Sequence, residues 1–353
     1  MKILLLYTFN KSFLSRFYEE LAVGLVTFGY DVTVLSLKGQ DNAFLKDNVH
    51  YILKSKGNLL KSYRDIYYII KKTKPDVIIS NFSYVNPALL FGSLLKVKQN
   101  IAWIHTLTDQ ISPSKKQIFI KRQFLKLANL VIVNSEYLKQ DLVAHFKVPP
   151  SKLNAIPFWT TLVSFKKENV KELYQNSHFK IGCPGRLVAD KNQDLIISAL
   201  ARLENRTNVT LYLAGDGPYK QNLEEQIALQ NLEGQVVFLG ALSSEGMVDF
   251  YNSIDVVILP SLHEAFGLVF IEAISQGVPV LVSSAFGALT FIDPSYDGLS
   301  DIVFDPKDIE GLKLKIEKLV NGKRKSKQYY ADLYHHHFNK DYILHQIKQL
   351  ITS

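Results

Sequence analysis

Two carboxylates stand eight positions apart in the stretch Glu264-Ala265-Phe266-Gly267-Leu268-Val269-Phe270-Ile271-Glu272. An apolar run, Val256–Leu259, precedes them, and helical apolar spacing begins at Leu268. The pattern predicts a strand, then a loop, then a helix over Leu268–Gln276. Glu264 falls in the loop and Glu272 in the second turn. The backbone amides of Phe266, Gly267 and Leu268 fall at the helix start, where unpaired N–H groups and the helix dipole favour an anion such as a diphosphate. Glu272 can then reach ribose hydroxyls, and Glu264 can reach sugar hydroxyls near a transferred carbon. Glycoside hydrolases also use two acids, but they hold both at one scissile bond. Two acids beside an anion-binding helix start suit hydroxyl recognition better.

A second group lies upstream, in Cys183-Pro184-Gly185-Arg186-Leu187-Val188 with Lys191-Asn192. Gly185 lets a ligand approach the backbone at a strand end. Arg186 can grip phosphate oxygens with two donors, and Lys191 supplies a second positive charge. Taken alone, both are ordinary solvated cations. Ala214-Gly215-Asp216-Gly217-Pro218 reads as turn chemistry, and Gly277-Val278-Pro279-Val280 as a turn into a buried strand. In the first half, Trp103-Ile104-His105-Thr106 puts His105 at a strand end, and Ser135 of Asn134-Ser135-Glu136 is placed to cap a helix. His335-His336-His337 reads as a solvated helix face. No Gly-x-Gly-x-x-Gly follows the first strand, which disfavours a nicotinamide oxidoreductase.

The elements that must position these groups alternate. Strands are expected at Lys2–Tyr7, Asp31–Leu37, Val77–Ser80, Ile101–His105 and Leu130–Asn134, with a helix over Phe13–Phe28 ended by Gly29. After Pro157 the pattern stops and resumes with strands at Phe179–Cys183, Val209–Ala214, Val236–Leu239, Val256–Leu259 and Val278–Ser283. Helices are expected between them at Asp194–Glu204, Tyr219–Asn231, Gly246–Ser253 and Leu268–Gln276. This is an α/β pattern of two Rossmann-like domains facing across a central cleft. The expected boundaries are 1–157 for the first domain, 158–178 for a linker, 179–336 for the second domain and 337–353 for a C-terminal helix that can cross back.

At 353 residues the chain suits two domains. Residues 1–177 hold 25 Lys and Arg against 12 Asp and Glu, whereas residues 178–353 hold 16 against 21. The basic clusters around Lys54–Lys61, Lys71–Lys74, Lys96–Lys98 and Lys115–Lys126 suit an anionic membrane surface. Nucleic acid is not expected, because aromatic and basic residues do not interleave as in a reader module. Cys183 is the only cysteine, so the default compartment is the reducing cytosol. With no signal-peptide pattern and no membrane-spanning apolar run, the expected location is cytoplasmic and peripheral on the inner membrane face.

Taken in order, Gly185-Arg186-Leu187 with Lys191, Ala214-Gly215-Asp216-Gly217-Pro218, Glu264-x-Phe266-Gly267 with Glu272-Ala273, and Gly277-Val278-Pro279-Val280 resemble the signature of the family 4 retaining glycosyltransferases, the glycosyl transferases group 1. The resemblance spans residues 179–283, and the ordered set is far more specific than any single motif. It implies a GT-B fold and a nucleotide-diphosphate sugar donor of UDP or GDP type, held mainly by the second domain. It implies a hexose-type sugar transferred with retention to a saccharide or lipid-linked acceptor, in cell-surface polysaccharide or glycolipid synthesis, with no metal or other cofactor. Arg186 and Lys191 would stabilise the leaving diphosphate, Glu264 would contact the sugar and Glu272 the ribose. His105 would face the donor sugar, and Leu239-Gly240 would lie near the base. Two departures stand out. Asn10 and Lys11 occupy a loop where the family carries adjacent glycines, and are placed on the acceptor side. Phe158-Trp159 replaces Asn-Gly. The competing readings are a sugar-nucleotide epimerase and a non-catalytic GT-B partner subunit, the second disfavoured by the intact set Arg186, Lys191, Glu264 and Glu272.

Overall fold

The computed structural model describes residues 1–55, 57–162 and 178–352. It divides into two units, Met1–Thr161 with Lys340–Ser353, and Leu162–Asn339. Each is an α/β unit on one sheet.

The first sheet contains β1 (Lys2–Leu6), β2 (Asp31–Gly39), β3 (Asn42–Lys46), β4 (Val49–Ser55), β5 (Val77–Asn81), β6 (Gln99–Ile104), β7 (Leu130–Val133) and β8 (Leu153–Ala155). Their order is β3-β4-β2-β1-β5-β6-β7-β8. All pairs are parallel except β3 with β4. The central strands are apolar nearly throughout because helices cover both faces; Leu4, for example, lies between Thr33 and Ile78. The β3–β4 hairpin and β8 were not expected from sequence. The hairpin turn puts both Asp47 and Asn48 at positive φ, the two-residue geometry those side chains tolerate.

The second sheet contains β9 (Phe179–Pro184), β10 (Val209–Ala214), β11 (Val236–Gly240), β12 (Val256–Leu259), β13 (Val280–Ser283) and β14 (Val303–Phe304). It is wholly parallel, in the order β11-β10-β9-β12-β13-β14. The helices expected from sequence run Gln193–Ala201, Lys220–Leu229, Ser244–Ser253 and Leu268–Ser275. Beyond β13 the chain adds β14 and helices over Ile309–Val320 and Lys327–His337. His335 and His336 are exposed, but His337 turns inward against Tyr296, with ring centroids 5.3 Å apart.

The division between the units differs from the sequence expectation for a physical reason. Phe158 and Trp159, assigned to the linker, are buried in the first unit. The Phe158 ring meets Phe17 edge-on at 4.7 Å, and Trp159 lies 4.1 Å from the same ring. The Trp159 indole donates to Glu20 (2.9 Å), which also accepts from Lys340 (2.7 Å) at the start of the last helix, Lys340–Thr352. That helix packs on helix Phe13–Thr27 and its cap, with Lys348 4.6 Å from the Phe28 ring. At the other boundary Phe338 is fully buried against Phe266 and Phe270, which keeps it in the second unit. Residues 163–177 of the expected linker lie outside the described residues. Among the described residues, no helix is long and apolar enough to cross a membrane.

Candidate active site

In the second sheet the chain runs from β9 to β10 and β11 on one side, then crosses to β12 on the other. The carboxyl ends of β9 and β12 therefore flank the point where the winding reverses, the usual ligand position in such sheets. Gly185 and Arg186 follow β9, and Glu264 lies in the loop after β12. The Arg186 side chain is exposed. Lys191 sits on a single 3₁₀ turn, Ala189–Lys191, and forms a short ion pair with Glu264. The structure thus pairs two of the four expected catalytic side chains, Lys191 and Glu264, and places Arg186 on the same β9 loop as Lys191.

The two loops are tied together by groups to which the sequence assigned no role. Asn192, at φ 56°, donates to the carbonyls of Pro260 (3.1 Å) and Pro306 (2.9 Å). Asp190 accepts from the amide of Leu262 through its carbonyl (2.9 Å), and its carboxylate lies 2.9 Å from His263 Nδ1. Gln193 is buried and donates to the carbonyl of Arg186 (3.1 Å), fixing that turn. Asn192 was visible in the Lys191-Asn192 pair. Asp190 and His263 carried no signal, because 73 residues separate them.

The Gly215 turn packs against the Gly185 turn so closely that a Cβ at Gly215 would stand 1.9 Å from the Gly185 carbonyl oxygen. The turn that sequence suggested was structural therefore shapes the β9 loop directly. Leu239 and Gly240 end β11 beside it, with Gly240 bridged to Gly215.

Gly267 starts helix Leu268–Ser275 at φ 102°, a conformation open to glycine, and no side chain caps that end. A Cβ there would also strike the Phe286 ring at 2.2 Å. Phe266 buries its ring against Phe291 and Phe338, leaving its backbone to the loop. The backbone of Glu264 is held on both sides, accepting from Gly287 (3.0 Å) and donating to Ala285 (3.3 Å). Glu272 accepts from the Tyr251 hydroxyl (3.0 Å), whose pKa is pushed well above its usual value by burial and by the neighbouring carboxylate. Tyr251 lies on another helix and had no sequence signature.

The remaining expected residues belong to the first unit. His105 follows β6, with ring centroids of Phe82, Phe158 and Trp103 at 5.3, 5.4 and 5.9 Å. Its Nδ1 lies 2.6 Å from Asn134 Oδ1 and its Nε2 2.9 Å from the Tyr18 hydroxyl. The Asn134 amide is oriented by its other bonds, since Oδ1 accepts from the Trp103 indole (3.1 Å) and Nδ2 donates to the Ile156 carbonyl (2.8 Å). His105 must therefore carry its proton on Nδ1 and accept from Tyr18 at Nε2. Burial among these rings lowers its pKa to about 4, against the smaller opposing effect of Asn134. Asn134 was read only as part of a helix start; Ser135 does cap that helix. Asn10 and Lys11 are exposed after β1, two strands from β6. The Asn10 side chain accepts from the Ser12 amide (2.8 Å) and shapes its own turn. Among the described residues, no three His, Cys, Asp or Glu side chains group to hold a metal.

Residues 14–158 match the family Glycosyltransferase Family 4, and residues 164–334 match Glycosyl transferases group 1. The chain belongs to the group 1 glycosyltransferases. This family member is 31% identical over 174 residues to the alpha-monoglucosyldiacylglycerol synthase of Streptococcus pneumoniae, covering 46% of this chain and 39% of that one. It is 26% identical to the capsular polysaccharide biosynthesis glycosyltransferase CapM of Staphylococcus aureus, covering 82% and 80%. It spans about half the length of the first curated relatives it matches. The structure of Anabaena Alr3699/HepE in complex with UDP superposes with a TM-score of 0.80 at 18% identity, covering all of both chains. The fold of this family member is GT-B.

Proposed function

We propose that the chain transfers a hexose-type sugar from a UDP- or GDP-type nucleotide sugar, with retention and without a metal, to a saccharide or lipid-linked acceptor. The observation that carries this reading is the Lys191–Glu264 ion pair at the winding reversal of the second sheet, with Arg186 exposed on the same loop as Lys191. A diphosphate placed between the β9 loop and the open start of helix Leu268–Ser275 meets two cations and a helix N-terminus. The ion pair with Glu264 keeps Lys191 in place, and an incoming phosphate takes over as its partner. Glu264 is then released to sugar hydroxyls, and Glu272, held by Tyr251, faces the ribose.

In the reaction the bond between the anomeric carbon and the β-phosphate oxygen breaks as the acceptor hydroxyl forms the new bond. The hydroxyl proton leaves with the departing phosphate. Negative charge grows on that phosphate, so fixed cations lower the barrier beyond what they add to binding.

Structural and sequence relatives support the substrates. Alr3699/HepE is described in complex with UDP and with UDP-glucose, and the named relatives concern a glycolipid and a capsular polysaccharide. The basic first half suits docking on an anionic inner membrane face.

The test is a titration with UDP, GDP and their sugars, followed by transfer of labelled sugar to membrane extracts and assignment of the product anomer by NMR. Binding of neither nucleotide, or turnover of donor without acceptor, would remove the reading; the second result would favour an epimerase.

A further inference from the structure

The first unit holds a cavity of about 490 Å³ lined by Phe82, Trp103, Ile111, Ile120, Lys121 and Phe146. It opens at the carboxyl ends of β5 and β6, next to His105, where ligands of parallel sheets bind. Three further features mark it. Phe82 has φ +47°, a conformation bulky residues avoid and one that collects at functional sites, yet its ring is half exposed over His105. Ile111 and Ile120 leave large apolar side chains exposed at the rim. Lys121 is half-buried over the Phe146 ring (4.9 Å), and burial lowers its pKa against a smaller opposing pull from Asp141. Asp141 is itself engaged, accepting from the Thr108 hydroxyl at 2.7 Å.

An apolar hollow with one half-buried cation at its wall is complementary to a hydrocarbon chain bearing an acidic group. The helix that forms the wall, Lys115–Leu125, carries four cations and no carboxylate, so the surrounding field also favours an anion. We propose that this cavity takes the hydrocarbon chain of a phosphate-linked lipid acceptor, with the phosphate at Lys121. The word acceptor rests on the transfer reading above; the binding site itself does not.

Dodecyl phosphate below its micelle concentration is the probe. Binding is followed by the intrinsic tryptophan fluorescence, to which Trp103 in the cavity lining contributes, and checked by calorimetry for one molecule per chain. Dodecanol and inorganic phosphate are the controls. The expected order is dodecyl phosphate tightest, dodecanol weaker and inorganic phosphate without measurable binding. Ile120→Glu puts a charge in the apolar mouth at an exposed position and should weaken dodecyl phosphate about tenfold or more. Lys121→Gln should bring dodecyl phosphate down to the affinity of dodecanol.

Undiminished binding in Ile120→Glu overturns the proposal, as does inorganic phosphate binding as tightly as the alkyl phosphate. Loss of binding to anionic vesicles with retained dodecyl phosphate binding in Ile120→Glu also overturns it, because the face then only docks a bilayer. UDP is titrated into the same proteins. Retained UDP binding with lost dodecyl phosphate binding supports the cavity, whereas wild type that binds dodecyl phosphate but no nucleotide keeps the cavity and removes the transfer reading.

Discussion

The carboxyl ends of the two sheets share a geometry and differ in chemistry. In the second unit the strand ends carry charge, with Lys191 in an ion pair with Glu264 and His263 hydrogen-bonded to Asp190. In the first unit the end of β6 carries His105, neutral among Tyr18, Phe82, Trp103 and Phe158, with both ring nitrogens engaged. A parallel sheet thus supplies a place for a ligand without deciding its kind. An exchangeable ion pair suits a phosphate that arrives and leaves, whereas a box of rings suits an apolar or neutral partner and holds its polar groups in one arrangement.

The largest expected effect tests the charged side. Lys191→Ala or Glu264→Ala should cut labelled-sugar transfer about a thousandfold, with the fold intact by circular dichroism. Unchanged rates in both would leave the paired charges as mere loop fasteners. The aromatic side is tested next, through stability. Trp159→Ala removes a fully buried ring and the indole bond to Glu20, and should cost about 3–5 kcal/mol in urea unfolding. A loss near zero would return residues 158–161 to linker status.

A third measurement separates the histidine from its charged counterparts. His105 has a folded pKa of about 4, below its ordinary value of about 6.5. Above the ordinary value it is neutral in both states and costs nothing. As pH falls from about 6.5 to about 4, the unfolded chain takes up a proton that the folded chain does not, so stability is lost across that window. The loss is on the order of 3 kcal/mol, and His105→Asn should flatten the slope. An unchanged slope would mean the box does not hold the ring neutral. The smallest effect per residue concerns the surface around the cavity. Replacing Lys115, Lys116 and Arg122 with Gln should weaken binding to anionic vesicles by about 1 kcal/mol per charge, most clearly at low salt. Equal binding at all salt concentrations would detach the basic half from any membrane role.

Much of the second unit was legible as sequence because its groups are close in the chain. Gly267 and Leu268 make a helix start by local rules alone, and Gly185, Arg186 and Lys191 share one loop. The alternation of strand and helix is likewise local, since apolar spacing reports which faces are buried. The β3–β4 hairpin escaped notice although its Asp47-Asn48 turn is a local signal. The last helix was legible by its spacing, but its partner was not, since a hydrophobic stripe names no surface.

What sequence determined by itself, then, is the order of elements and the residue types at each strand end, both set by backbone geometry and burial period. Only the tertiary structure decided the pairings: Lys191 with Glu264 across 73 residues, Glu272 with Tyr251, His105 with Tyr18 and Asn134, and Lys340 with Glu20 across 320. Those contacts depend on which elements lie side by side, and side-by-side placement is a property of the fold rather than of any segment within it.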